Sequence, residues 1–412
     1  MKMKRIALTV PSFPKLSETF IVSKFLGLLE HGWDVHVICG ESNSEEWRRF
    51  PELQSSAEVR RRVHVVWPHR PRWLATLLIP VAFIWTLGRN PWGSWRYLSA
   101  GWPRFRWDLM RRFYLDSAVL ALKPDIIHME FGTLAAEDIY LKEMLGCRII
   151  VSFRGYDLNF VGLETPGYYQ EVWDQADALH LLGEDLWQRA QDRGCPPEKM
   201  HSLIPPAIDV TKFDAGERQS TREVGTIERP LRIASVGRLE WKKGYEYALQ
   251  AVKLLVDRGI SCEYRIIGDG IWLGVISFAR YQLGLENVVH FMGALTPQEV
   301  KDQLLWADVF LHAAVSEGFC NAVLEAQAMG LPVVCTDADG LGENVVHGET
   351  GFVVPRWNPQ ALAEKLALLT ARPDLRRQMG QAGRQRVLTY FQIADQIQAF
   401  DHLYKQVLDR ID

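Results

Sequence analysis

The sequence predicts an α/β protein built from two doubly wound domains, and three observations carry that expectation. At 412 residues the chain is too long for one ordinary core, on a scale of about 100–200 residues per domain. Short runs rich in Ile and Val alternate with longer helix-like segments, the pattern of a parallel sheet covered on both faces. That alternation halts at a polar stretch and then restarts. A hydrophobic fraction of 48% supplies both halves with a core.

The predicted strands of the first half are RIALTV (5–10), DVHVIC (34–39), DIIHME (125–130), RIIVSF (148–153) and ALHLL (178–182). The polar segment DAGERQSTREVGTIERP (214–230) follows. The second series is LRIASVG (231–237), YRIIG (264–268), VVHFMG (288–293), DVFLHA (308–313) and PVVCT (332–336). These runs set a first domain at 1–208, a linker at 209–230, a second domain at 231–388 and a last helix at 389–412. In that helix Ile393, Ile397, Phe400, Leu403, Tyr404 and Leu408 share one face, which must pack on its own domain or on the first. Ligands are expected in a cleft at the carboxyl ends of the strands.

Composition narrows the function. A formal net charge of −3 argues against a nucleic-acid binder defined by whole-chain charge. The six cysteines, at 39, 147, 195, 262, 320 and 335, have no zinc-ligand spacing and read as small core residues of a reduced, cytoplasmic protein. The apolar run after the basic start stops at Pro11, which suits a first strand better than a signal peptide.

Residues 60–112 break the rhythm. They hold Trp67, Trp73, Trp85, Trp92, Trp95, Trp102 and Trp107, with arginines at 60, 61, 62, 70, 72, 89, 96, 104, 106, 111 and 112. The apolar run LATLLIPVAFIWTLG, broken by Pro80, falls short of the ~20 residues that span a bilayer. Two readings stand: a helical insertion with tryptophans in its core, or a surface meeting the interface of an anionic membrane.

Two stretches carry chemistry. In ASVGRLEWKKGYEYALQA (234–251) a strand runs into a loop at Gly237 and a helix near Gly244. Arg238 and Lys243 stand in that loop, where two cations and helix-terminal N–H groups suit a phosphate or diphosphate; the plainer reading is two solvated cations. In SEGFCNAVLEA (316–326) Glu317 falls in a strand-to-helix loop, with Gly318, Phe319 and Cys320 offering backbone N–H groups. Glu325, in the first turns of the next helix, tilts back toward the same place. Two carboxylates at different depths can accept from the hydroxyls of a sugar joined to a ribose; the plainer reading is a solvated helix edge.

EGFCNAVLE (317–325), GRLEWKKG (237–244) and DGLGENVVHGETGFVV (339–354), in that relation along the chain, resemble the motifs of the retaining nucleotide-sugar glycosyltransferases of the GT-B fold, called group 1 or family 4. The resemblance covers nearly the whole chain. It implies two Rossmann-like domains facing across a cleft, with the last helix crossing back to the N-terminal domain. It implies that Arg238 and Lys243 bind the donor diphosphate without a metal, that Glu317 contacts the transferred sugar and Glu325 the ribose, and that Gly237, Gly340, Gly342 and Glu343 line the donor site. The donor would be a UDP- or GDP-linked sugar, a substrate and not a cofactor.

The first half resembles the branch that builds exopolysaccharides such as colanic acid. FPKLSETFI (13–21) puts Ser17, Glu18 and Thr19 near the acceptor. DIIHMEFG (125–132) keeps His128, counted among the catalytic candidates, and VSFRGYDL (151–158) sets Arg154 where many members carry histidine, with Asp157 beyond it. An arginine is always charged and shuttles no proton, so Arg154 is expected to bind a phosphate or carboxylate or to hold Asp157. TDADG (336–340) mimics an Asp-x-Asp metal motif but falls in the family's variable loop, and no metal site is expected. The resemblance thus implies a transferase acting on a saccharide or lipid-linked acceptor; the cysteine pattern adds a cytoplasmic setting, the tryptophans and arginines of 60–112 add peripheral contact at the inner face of the plasma membrane, and the net charge adds no nucleic-acid partner. A sugar epimerase or phosphorylase of the same fold, and a non-catalytic nucleotide-sugar binder, are the alternatives.

Overall fold

The computed structural model describes residues 4–15, 18–54, 57–68, 70–215 and 223–410. The chain divides into two compact units. Unit 1 runs to Leu182 and adds Leu186–Ile204 and the chain from Ile397 onward; unit 2 comprises Gly183–Asp185 and Pro205–Gln396.

Unit 1 is built on strands β1 (Arg5–Ser12), β2 (Asp34–Glu41), β3 (Val63–Val65), β4 (Ile126–Met129), β5 (Arg148–Phe153), β6 (Ala178–Leu181) and β7 (His201–Leu203). They lie in the order β3-β2-β1-β4-β5-β6-β7, all parallel. Unit 2 holds β8 (Leu231–Val236), β9 (Cys262–Ile267), β10 (Val289–Gly293), β11 (Val309–His312), β12 (Val333–Thr336) and β13 (Gly351–Val354). Their order is β10-β9-β8-β11-β12-β13, again parallel. These are two doubly wound, Rossmann-like sheets, and the central strands are mostly apolar because helices cover both faces. Ile6, Ala7 and Leu8 in β1 and Ile233 and Ala234 in β8 are fully buried. In each sheet the strand order reverses once, between β1 and β4 and between β8 and β11, and the carboxyl ends of those strands are the natural ligand positions.

All ten predicted strands are present. β3, β7 and β13 were not expected, and all three are sheet edges of three or four residues. An edge strand that short leaves little periodicity to read, and β13 lies at the end of the motif stretch DGLGENVVHGETGFVV (339–354).

Between β3 and β4 the chain forms helices Arg72–Arg89, Pro91–Phe105 and Leu109–Leu122. Asn90 starts the second by accepting from Gly93 N–H at 3.0 Å, with Pro91 in the first turn where no N–H is needed. Inside the bundle Tyr97 and Tyr140 both donate to Asp116, at 2.5 and 2.8 Å. The segment is thus a helical insertion, but its tryptophans are mostly not core. Trp67 and Trp85 meet edge to face at 6.1 Å, while Trp73, Trp92, Trp95, Trp102 and Trp107 are 55–90% exposed.

The helix Ile393–Asp409 enters unit 1 at Ile397. Ile397 seats on Gly27 of the helix Thr19–Glu30, where a Cβ would stand 2.6 Å from its side chain. Phe400, Leu403, Tyr404 and Val407 are buried below it, and Trp33 donates to Asp401 at 3.0 Å.

Candidate functional site

In unit 2 the site grows from the loops after β8 and β11. The first loop makes a 3₁₀ turn at Trp241–Lys243, passes Gly244 at φ +61°, and enters the helix Tyr245–Asp257. A Cβ at Gly244 would lie 2.1 Å from the Ala313 carbonyl, so glycine lets this loop press against the one after β11. Val315 N–H donates to the Lys242 carbonyl at 2.8 Å and locks the two together. The result is an ion pair between the Lys243 ammonium and the Glu317 carboxylate, both largely buried.

Further groups hold Glu317. His312, the last residue of β11, puts Nε2 3.4 Å from Glu317 Oε2. Asp339 accepts from Glu317 N–H at 3.1 Å and from Ser316 Oγ at 2.6 Å, and Arg356 donates to Asp339 at 3.0 Å. Gly340 N–H donates to the Glu317 carbonyl at 3.0 Å, and a Cβ on Gly340 would lie 2.0 Å from the Gly318 carbonyl. Burial opposes the charge on Glu317, but Lys243 and His312 outweigh it and hold its pKa down to about 2. His312 also resists burial: the Cys320 sulfur and Glu317 push its pKa up to about 9.

The backbone donors divide. Cys320 N–H is taken by Asn344 Oδ1 at 3.0 Å, and Asn344 returns a hydrogen bond to the Cys320 carbonyl at 3.1 Å. Among the described residues the N–H groups of Gly318 and Phe319 have no partner. Three donors were expected here; the structure leaves two, because the buried Asn344 needs Cys320 to satisfy its own amide.

Arg238 extends from the first loop, 57% exposed, with only Glu240 at 3.1 Å. Gly237 N–H donates to Ile267 at 3.0 Å, closing β8. Glu325 lies half-buried in the helix Asn321–Ala328, its carboxylate has no hydrogen bond to the described residues, and burial pushes its pKa up to about 7. Gly342 has open space at its Cβ position. Glu343 departs from the expectation of a group turned to the donor: its carboxylate accepts from Glu184 and Asp185 N–H at 3.0 and 2.9 Å, an acid satisfying backbone donors at a helix start. Asp337 and Asp339 both pair with Arg356, at 3.3 and 3.0 Å, so the Asp-x-Asp stretch is occupied by a guanidinium.

In unit 1 the candidates stand at the carboxyl ends of β1, β4 and β5. Ser17 lies outside the described residues. Glu18 precedes the helix that begins at Thr19, takes Lys15 on Oε1 at 2.9 Å, and keeps Oε2 buried without a partner among the described residues. Arg154 donates to Glu130 Oε2 at 2.9 Å and to the Glu130 carbonyl at 3.2 Å. Its side chain therefore holds Glu130 and not Asp157, whose carboxylate caps Arg154 N–H at 2.9 Å and Thr133 N–H at 3.2 Å. Lys24 completes a buried cluster with Glu130 at 2.5 Å. His128 does not face open space: fully buried, it meets Tyr404 OH at 2.8 Å and Lys24 Nζ at 3.1 Å through Nδ1, and Ser152 Oγ at 2.7 Å through Nε2. Burial drives its pKa well below the usual histidine range, with Lys24 and Arg154 adding to the effect. Both ring nitrogens of this imidazole are thus engaged by protein groups.

Sequence reasoning missed His312, Asp339, Arg356, Lys24 and Glu130. The one readable signal was a histidine closing an apolar strand five positions before Glu317. The others need the fold, because each partner comes from a different loop.

Residues 217–386 match the family model described as glycosyl transferases group 1. The chain is 29% identical over 384 residues to the putative colanic acid biosynthesis glycosyltransferase WcaL of Escherichia coli (strain K12), covering 86% of this chain and 88% of that protein. It is 29% identical over 377 residues to the amylovoran biosynthesis glycosyltransferase AmsK of Erwinia amylovora, covering 87% and 88%. Among solved structures, a sucrose-phosphate synthase from Thermosynechococcus elongatus superposes with a TM-score of 0.73 at 16% identity, over 98% of this chain and 99% of that one. Anabaena HepE in complex with UDP-glucose gives 0.71 at 14% identity, over 98% and 99%. The fold is therefore GT-B, residues 217–386 match the group 1 glycosyltransferase model, and the chain is similar over most of its length to glycosyltransferases of exopolysaccharide synthesis.

Proposed function

We propose that the protein is a retaining, metal-independent glycosyltransferase that moves a sugar from a nucleoside-diphosphate sugar to a saccharide or lipid-linked saccharide in cell-surface polysaccharide synthesis. The observation that carries this reading is the Lys243–Glu317 pair beside an exposed Arg238 and two N–H groups that are unpartnered among the described residues, at the ends of β8 and β11. Arg238 and Lys243 meet the diphosphate, whose charge grows as the bond to the sugar breaks, so both stabilise the transition state more than the ground state. Glu317, released from Lys243, accepts from the transferred sugar. Glu325 accepts from the ribose. The leaving phosphate oxygen helps to take the acceptor's proton, which accounts for a site with no protein base in place.

Residues 231–388 form the donor side and 1–208 the acceptor side, with Glu18, Thr19, Arg154 and Asp157 near the acceptor and His128 as a positioning residue. UDP sugars come before GDP sugars, since Anabaena HepE was solved with UDP and with UDP-glucose. A nucleotide-binding Glu325 disfavours a phosphorylase, whose chemistry has no donor nucleotide.

The insertion supports peripheral contact with the inner face of the plasma membrane. No helix of the described residues is long and apolar enough to cross a bilayer. The five exposed tryptophans share the segment with exposed Leu77, Val81 and Ile84, and from 70 to 112 the chain has eight arginines against one acid, Asp108. Indoles favour headgroup depth, and each basic side chain at an anionic surface adds about 1 kcal/mol. Transfer of radiolabel from a panel of nucleotide sugars to a membrane extract tests the reading: labelled product with retained anomeric configuration is expected, and release of free sugar phosphate or no product from any donor would overturn it.

A further inference from the structure

His312, Glu317 and Cys320 form a buried cluster that neither the proposed sugar transfer nor the diphosphate contacts fully use. One ligand atom from each lies within 4.8 Å of the other two. We propose that these three residues form a binding site for a thiophilic divalent cation such as zinc, and that occupancy blocks the donor site. The inference concerns inhibition and is separate from the metal-independent transfer proposed above.

The donor set argues for zinc. One imidazole nitrogen, one thiolate and one carboxylate oxygen is a mixture that zinc accepts and magnesium or calcium does not favour. Tetrahedral zinc, with metal–ligand bonds of about 2.0–2.3 Å, holds its ligand atoms about 3.3–3.6 Å apart. His312 Nε2 and Glu317 Oε2 already stand at 3.4 Å. Cys320 needs only a side-chain adjustment to reach the same spacing.

The three positions are also held from outside. His312 closes β11; Glu317 is fixed through its own N–H by Asp339; Cys320 is clasped on both backbone groups by Asn344. His312 and Cys320 are each 4% exposed, so a bound ion would sit in low dielectric, with a fourth position left for water or a phosphate oxygen. Zinc takes Cys320 as thiolate and His312 as neutral imidazole, so binding also releases the proton that the His312 ring holds up to about pH 9, leaving two anionic ligands and one neutral one.

Lys243 is the competitor. It occupies Glu317 in the free protein, and a dication must displace it or share the carboxylate. This gives the site a signature that loss of folding cannot imitate: removing Lys243 should strengthen metal binding while it weakens donor binding.

The test uses the full chain, with zinc measured by equilibrium dialysis and cobalt(II) as a visible probe. One zinc per chain is expected at micromolar free metal, with a cobalt–thiolate charge-transfer band. Cys320→Ala should abolish the band and weaken zinc binding more than roughly 100-fold, since losing a ligand exceeds the loss of an outer contact. Lys243→Met should tighten zinc about tenfold, as a like charge leaves a low-dielectric site. UDP should compete with the metal in the wild type. Zinc binding unchanged by Cys320→Ala, or weakened by Lys243→Met, would overturn the proposal, as would a cobalt spectrum without the thiolate band.

Discussion

Lys243 and Glu317, 74 positions apart, are ion-paired at the carboxyl ends of neighbouring strands β8 and β11, with His312 Nε2 3.4 Å from the same carboxylate oxygen. Without a donor the lysine neutralises a glutamate that burial would otherwise protonate. A diphosphate offers the ammonium two further negative groups, and Glu317 is then free to turn to a sugar hydroxyl. Under the proposed function the pair would be a resting state whose opening couples donor arrival to readiness of the carboxylate.

The two cations should therefore behave differently when removed. Lys243→Ala and Arg238→Ala should each lower turnover on the order of 10²-fold, as expected for one lost electrostatic contact in the transition state. Only Lys243→Ala should also lower stability, by about 2 kcal/mol, because it strands a buried carboxylate. Arg238→Ala removes an exposed pair and should stay within about 1 kcal/mol of wild type in urea titration. Near-wild-type turnover in both variants contradicts the assignment of the diphosphate site.

Glu325 gives the donor site a pH dependence. Only the ionised carboxylate accepts two ribose hydrogen bonds, and in the free protein burial pushes its pKa up to about 7. Nucleoside diphosphate should bind with constant affinity above that value and lose about tenfold for each pH unit below it. Glu325→Gln should flatten this profile in calorimetry while weakening binding at high pH. A wild-type profile flat between pH 5 and 8 would remove Glu325 from the ribose.

Glu317→Ala should fail in the opposite way, with turnover depressed and free nucleoside diphosphate binding nearly intact, since its partner is the sugar that UDP lacks. Calorimetry with UDP beside single-turnover rates separates the two glutamates.

In unit 1, Glu130→Gln should cost about 3–5 kcal/mol of stability, because it leaves Lys24 and Arg154 buried without their anion. The pair also gives a pH signature. Burial lowers the Lys24 pKa from its usual value to about 8, against the pull of Glu130. A lysine whose folded pKa is depressed disfavours the folded state at low pH, and that cost fades as pH rises from about 8 toward the unfolded value near 10.5. Lys24→Met should remove this slope in denaturant titrations across that window.

The insertion should hold the protein on anionic liposomes at low salt and release it as salt rises, since exposed charges are screened within about 10 Å at 0.1 M. Trp92→Ala, Trp95→Ala and Arg96→Ala together should reduce pelleting further. A folded, active protein that stays in the supernatant at low salt would show that these exposed residues serve some other contact.

The sequence by itself determined the two-sheet architecture, ten of the thirteen strands of the described residues and the two motifs that bring a lysine, an arginine and two glutamates to unit 2. It could do so because buried parallel strands are continuous apolar runs and because both motifs are local, each within one strand-to-helix connection. Tertiary structure alone decided which groups meet. Lys243 reaches Glu317 only because Gly244 lets two loops pack at 2.1 Å from a would-be Cβ, and Asp339 turns from a metal mimic into a clamp because Arg356 arrives from beyond β13. The same holds for His128, legible as a motif residue but enclosed by Tyr404 from the far end of the chain, 276 positions away. Whether a tryptophan faces core or solvent was likewise beyond the sequence, because helical spacing gives the faces and only packing says which face finds a partner.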